Sequence, residues 1–182
     1  LQIQDYQIIS RAIQCFQGDT LLTEINCSDN QITSLNLSAN KFLSILNCSD
    51  NLLTTLDIMS NPLLLRLDCS VNYLTELDIT ADTLLLDLNA KSNQLESLDL
   101  SRNRLLLNLN CDDNLLGSLD VHNNGLLRVL SASKNNIMAL DVSGNPFLRA
   151  LSCDENQLEN LNLGINDSLG LLSCANNQIA LL

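Results

Sequence analysis

From residue 30 onward an asparagine stands every 21 residues: Asn30, Asn51, Asn72, Asn93, Asn114, Asn135, Asn156 and Asn177, with no gap. A second series at the same period runs Asn40, Asn61, Asn103, Asn124, Asn145 and Asn166, broken only where Asp82 stands in. Each period divides into two halves of the form LxxLxLxxN, the first of ten residues and the second of eleven. A chain with this regularity cannot be a globule with one centre. It must stack identical coils, so that residues 21 apart lie over one another and the sequence is read by columns.

Within the first half of each coil the apolar residues alternate at a spacing of two, as in Ile25 and Cys27 or Leu67 and Cys69. That spacing puts both on the inside of a short strand and the residue between them outside. The second halves repeat it, as in Leu56 and Ile58 or Leu98 and Leu100. Both sides of the coil are therefore expected to be extended, making a two-sheeted prism. Eight coils at a strand spacing of about 4.8 Å would give a length of about 35 to 40 Å. The recurring asparagines stand where the turns leave backbone groups unpaired, and a buried amide supplies donors and an acceptor to its own coil and the next.

Composition fits this plan. The chain is 46% hydrophobic but has three Phe, two Tyr and no Trp, so the core is aliphatic. Against 21 Asp and Glu there are 9 Lys and Arg, a formal charge of −12. Such a surface repels phosphate backbones and anionic headgroups, which makes nucleic acid a poor partner. No apolar run approaches the roughly 18 residues of a membrane-spanning helix, so membrane insertion is not expected.

Residues 1–20 do not follow the repeat. Ile3, Tyr6, Ile9, Ile13 and Phe16 fall on one side of a helix and Gly18 supplies a stop, which predicts an amphipathic helical cap over the first coil. Residues 21–182 form the solenoid of about eight coils. The chain begins with Leu1 and breaks off at Leu181 and Leu182 halfway through a repeat, the expectation for a mature or excised segment truncated at its C-terminal end.

With this organisation established, segments such as LTEINCSDNQI, LSILNCSDNLL and LRALSCDENQL resemble the LxxLxCxxNxL segment of leucine-rich repeats, and the likeness covers residues 21–182. The nested second halves, LTTLDIMSNPL and LESLDLSRNRL, are similar to the 21-residue repeats of bacterial proteins, most of all secreted or surface proteins of Bacteroidetes-type bacteria. The resemblance implies a right-handed solenoid whose main parallel sheet is built from the LxxLxL strands, with ligand commonly bound on that face. It lacks the Leu-Pro signature of the bacterial ubiquitin-ligase effectors.

Candidate chemistry is sparse. Cys27, Cys48, Cys69, Cys111, Cys153 and Cys174 share one inward column with Ala90 and Ala132. Since Ala neither binds metal nor forms a bridge, the column calls for a small apolar group, and the cysteines read as buried thiols. Asp57, Asp78, Asp99, Asp120 and Asp141 form a second column. Unit charges about 4.8 Å apart repel by roughly 0.9 kcal/mol in water. Either hydroxyls and backbone donors offset this, those of Thr55, Ser97, Ser101 and Ser118 being the ones expected, or a cation does; the hydrogen-bonded reading is preferred because calcium wants six to eight oxygens. His122 is the only histidine, with no oxyanion donors or enclosed pocket in view, and reads as a solvated surface residue.

The expectation is a non-catalytic binding or adhesion module without cofactor, metal or catalytic residues. It would be extracellular or on the cell surface, recognising protein or glycan through a flat sheet face. The face expected to bind is the first-half sheet, where Arg66, Asp68, Asp87, Asn89, Asn108 and Asn110 form a polar set. Beside it Leu65, Leu86 and Leu107 make an outward leucine stripe, read either as a surface for self-association into a homodimer or as residues under the bend between halves. A structural spacer or stalk is the alternative function.

Overall fold

The computed structural model describes residues 20–180; the cap assigned to the N-terminal segment lies outside the described residues. Ten three-residue strands succeed one another: β1 Glu24–Asn26, β2 Ile45–Asn47, β3 Arg66–Asp68, β4 Asp87–Asn89, β5 Asn108–Asn110, β6 Val129–Ser131, β7 Ala139–Asp141, β8 Ala150–Ser152, β9 Asn160–Asn162 and β10 Leu171–Ser173. Eight of them form one parallel sheet in the order β1-β2-β3-β4-β5-β6-β8-β10. The register pairs each residue with the one 21 positions on, as in Leu46↔Leu67 and Leu67↔Leu88. The columns read from the sequence are thus columns in space.

Each coil contributes its inward residues to one continuous core. In the third coil these are Leu64, Leu67, Cys69, Leu74, Leu77 and Ile79, and all are buried. Small side chains face the core behind the main sheet, in the Cys and Ala column, while Leu, Ile and Val fill the equivalent place on the opposite side. The coils meet at ladder distance on the main-sheet side.

The strand pairing corrects the expectation of two continuous sheets. On the second-half side only β7 and β9 pair, with Leu140↔Leu161 in register. Two local features allow the approach there. Val142 is smaller than the Leu or Ile that fills its column in most coils, and Gly164 lies at φ +59° with its Cα so close to the coil beneath that an added Cβ would sit 2.6 Å from the Ser143 Cβ. Elsewhere the second halves lie outside any strand ladder, and the coils are joined there by backbone bonds where each second half begins, as from Tyr73 N–H to Leu53 O (2.8 Å), and by side chains.

The asparagine series supply those joints, and the two series work differently. Asn93 Nδ2 donates to Cys69 O (3.1 Å) in the preceding coil and to Ala90 O (3.1 Å) and Lys91 O (3.3 Å) in its own. Its Oδ1 accepts the Leu74 N–H at 3.0 Å. In the other series Asn103 Nδ2 donates to Ile79 O (3.0 Å) and Asp82 O (2.9 Å). The Oδ1 atoms of Asn61, Asn103, Asn124, Asn145 and Asn166 are buried and accept nothing from the protein.

A turn of fixed shape precedes each residue of the first series. Asp29, Asp50, Val71, Ser92, Asp113, Lys134, Glu155 and Asn176 all have φ between 52° and 57°, in the left-handed region. A residue with a Cβ is disfavoured there by roughly 1–2 kcal/mol, so the amide bonds that follow must hold the turn closed. For Gly164→Ala the added methyl meets both a left-handed backbone and Ser143. Thermal unfolding should show a loss of about 1–3 kcal/mol, and amide exchange at Val142, which donates to Asn162 O, should speed up.

Candidate binding face

Residues one and three of each strand point away from the core, so β3, β4 and β5 present three pairs side by side. Arg66, Asp87 and Asn108 lie in register along one row and Asp68, Asn89 and Asn110 along the next. The structure brings together all six residues expected from the sequence. They line a shallow depression of about 460 Å³ that also takes in Ile45, Asn47, Val129 and Ser131 from the neighbouring strands. These four additional residues occupy the same outward strand positions one coil to either side of the set, so the column rule that found the six extends to them.

The polar groups hold one another in place. Arg66 Nε lies 3.2 Å from Asp87 Oδ2, while Asn108 Nδ2 donates to Asp87 Oδ1. Asn89 Nδ2 donates to Asp68 Oδ2 (3.0 Å) and Ser70 Oγ (3.2 Å), and the Ser70 hydroxyl donates to Asp68 Oδ1 (2.6 Å). An exposed ion pair of this sort adds only ~0–1 kcal/mol to stability. Its consequence is order: Arg66 is held by Nε and offers the rest of an exposed guanidinium outward.

On the opposite side Asp57, Asp78, Asp99, Asp120 and Asp141 each accept, through Oδ1, the N–H two residues on, at 2.8–3.1 Å. Hydroxyls add to this at Asp78, Asp99 and Asp141, where Thr80, Ser101 and Ser143 hold the carboxyls below the usual range, their backbone N–H groups helping. Like-charge repulsion is therefore met by hydrogen bonds. The donors are a correction, however: they sit two positions after each Asp, so Ser101 takes part whereas Thr55, Ser97 and Ser118 do not. Thr55 and Ser97 instead line a depression of about 480 Å³ with Asp57, Asp78 and Asp99. His122 is exposed, its N–H donated to Asp120.

The thiol column is buried from Cys27 to Cys153, with Cys174 half-buried, and all six are free. Burial pushes Cys27, Cys69, Cys111 and Cys153 up to about 12, so they stay protonated and unreactive. Of the leucine stripe, Leu65 is exposed while Leu86 and Leu107 are half-buried. Among the described residues no three His, Cys, Asp or Glu side chains converge as a metal site would require.

No protein-family model and no curated protein matches the chain. Solved structures do. The functional domain of InlJ from Listeria monocytogenes, which includes a cysteine ladder, matches with a TM-score of 0.88 at 35% identity, over 90% of this chain and 36% of that one. The chain is a leucine-rich-repeat solenoid. A leucine-rich-repeat protein of Leptospira interrogans matches over 99% of this solenoid and 61% of its own length (TM-score 0.79, 20% identity). YopM, a leucine-rich effector protein of Yersinia pestis, matches over 86% and 44% (TM-score 0.78, 26% identity). The solenoid thus spans about a third of the InlJ structure and has its own column of six thiols in the described residues.

The break in the second asparagine series puts a carboxyl group into the leucine-rich-repeat core. Asp82 is fully buried and neither carboxyl oxygen has a hydrogen-bond partner. Burial, with the nearby Asp78 charge, pushes its pKa up to about 7. The unfolded chain releases this proton near pH 4 and the folded one near pH 7, so stability falls as pH rises through that window and is flat above it. Asp82→Asn restores the amide. Unfolding in denaturant should show it stabilising the protein by about 2–4 kcal/mol at pH 8 and by much less at pH 4.

Proposed function

We propose that this solenoid is a non-catalytic recognition module of a bacterial secreted or surface protein, and that it binds a protein ligand through the outer face of the eight-stranded sheet. The observation that carries this reading is the prearranged polar set on β3, β4 and β5. Its side chains are fixed by one another and by a rigid sheet, so little ordering cost is added when a ligand docks. Chemical variety at the outward strand positions favours the same face. The first outward position reads Glu, Ile, Arg, Asp, Asn, Val, Ala and Leu from β1 to β6 and on through β8 and β10, whereas the opposite side repeats Asp in five successive coils. A surface meant only to space two domains has no need of such variation.

The bacterial structures that this chain resembles support a bacterial origin, and the likeness to YopM, an effector protein, supports a role outside the producing cell. Buried thiols that stay protonated would tolerate an oxidising surrounding. Arrays of bacterial-host surface proteins and of glycans test the ligand class, probed with the chain and with Asp87→Ala/Asn89→Ala. A protein ligand should be bound and its affinity reduced at least tenfold in the double variant, about 1.4 kcal/mol, with the melting temperature unchanged. Retention of every ligand by that variant would move the binding face elsewhere, and glycan binding lost in it would change the ligand class.

A further inference from the structure

A second surface lies on the turn that leads from the second half of each coil into the main sheet. Phe42, Leu63, Leu84, Leu105, Leu126 and Phe147 occupy one column in six successive coils, and all are between 38% and 55% exposed. Two residues further on, the backbone binds coil to coil, with Leu65 N–H donating to Ser44 O, Leu107 N–H to Leu86 O and Arg149 N–H to Arg128 O, each at 2.8 Å. The stripe is therefore straight, and six side chains at the strand spacing extend about 24 Å. Scattered apolar residues on a surface need no explanation, but an unbroken single file across most of the described coils does.

The charges along this edge oppose those of the whole molecule. Consider the eight residues of each coil from 38–45, 59–66, 80–87, 101–108, 122–129 and 143–150. They hold six of the nine Lys and Arg, namely Lys41, Arg66, Arg102, Arg104, Arg128 and Arg149, but only two of the 21 Asp and Glu. Those two are Asp82, which is buried, and Asp87, which is paired with Arg66. Arg102 lies near Asp99 and helps to hold its carboxyl down, whereas Lys41, Arg104, Arg128 and Arg149 form no salt bridge with a carboxylate among the described residues. In a protein of net charge −12 the result is an apolar strip bordered by positive charge.

We infer that this edge is an interaction surface for an acidic amphipathic helix of a partner protein. A helix of about 16 residues is about 24 Å long, the length of the strip, and offers an apolar side chain about every 5.4 Å, close to the repeat of the column. Glutamates and aspartates flanking its apolar face would meet Lys41 and Arg104 on one margin and Arg128 and Arg149 on the other. Leu63, Leu84, Leu105 and Leu126 are 38–42% exposed and offer a partner laid along them one apolar contact per coil. This surface adjoins the outer sheet face at Arg66 and Asp87 but does not depend on the ligand proposed for that face.

The test uses a designed 18-residue helical peptide with leucine on one face and glutamate on its flanks, and a counterpart in which lysine replaces each glutamate. Fluorescence anisotropy should show the glutamate peptide binding at least tenfold more tightly than the lysine one, with helicity rising on binding and affinity falling as salt is added. Leu84→Asp/Leu105→Asp should weaken it at least tenfold. So should Arg104→Glu/Arg128→Glu, which leaves the apolar residues alone and guards against a folding defect. Asn89→Ala/Asn110→Ala, on the sheet face and outside this edge, should bind as the parent chain does, which separates this surface from the sheet face. Equal binding of the two peptides, or binding unchanged in both edge variants, would overturn the assignment. So would preferential binding of phosphatidylglycerol vesicles, which would give the edge to a lipid surface, or a dimer abolished by Leu84→Asp, which would give it to a second copy.

Discussion

The structure depends on one side chain repeated at one position: the buried asparagine that follows each strand of the main sheet. Its amide joins two coils by donating to carbonyls of both, and its oxygen takes a backbone N–H of the preceding coil, as Asn93 does with Leu74. An apolar residue at that place would leave these groups buried and unpaired, at a cost of about 1–3 kcal/mol for each. The left-handed residue before each asparagine is the other half of the device. A backbone shape that non-glycine residues avoid recurs in eight coils because the amide bonds over-determine it.

From that joint the rest follows by geometry. The asparagine fixes where the strand ends, the strand fixes which residues face the core, and the small Cys and Ala column behind the sheet lets the coils close there. On the other side, among the described residues, only β7 and β9 pair, so the protein has one extensive sheet. That sheet displays Arg66, Asp87 and Asn108 in register, tied to one another by the Arg66–Asp87 ion pair and the Asn108–Asp87 hydrogen bond. The same regularity makes the apolar strip on the neighbouring edge straight.

Much of this was legible because a period of 21 leaves little freedom. The coil columns, the inward thiols, the buried asparagines and the six polar residues of the sheet face are all where the spacing puts them. Three features were not legible, each for a physical reason. The second halves have the same alternation as the first, and alternation reports which residues face inward but not whether neighbouring backbones pair. The turn residues at 29, 50, 71 and onward are Asp, Val, Ser, Lys, Glu and Asn, without the glycine that would have signalled a left-handed backbone. In the runs of three leucines at 63–65, 84–86 and 105–107 only the middle one is fully buried. Neither a strand nor a helix period picks that residue out, so the spacing points to Leu65, Leu86 and Leu107 although the longer exposed file begins at Phe42.

The most direct measurement is the stability of Asn93→Ala beside that of Asn103→Ala, by equilibrium unfolding at one pH. Asn93 satisfies a buried N–H as well as carbonyls, whereas Asn103 donates only and carries an unpaired oxygen of its own. Both variants should be less stable, Asn93→Ala by about 2–3 kcal/mol and Asn103→Ala by about 1–2 kcal/mol. If Asn93→Ala unfolds with the parent protein, or is the less damaged of the two, the first asparagine series is not what joins the coils.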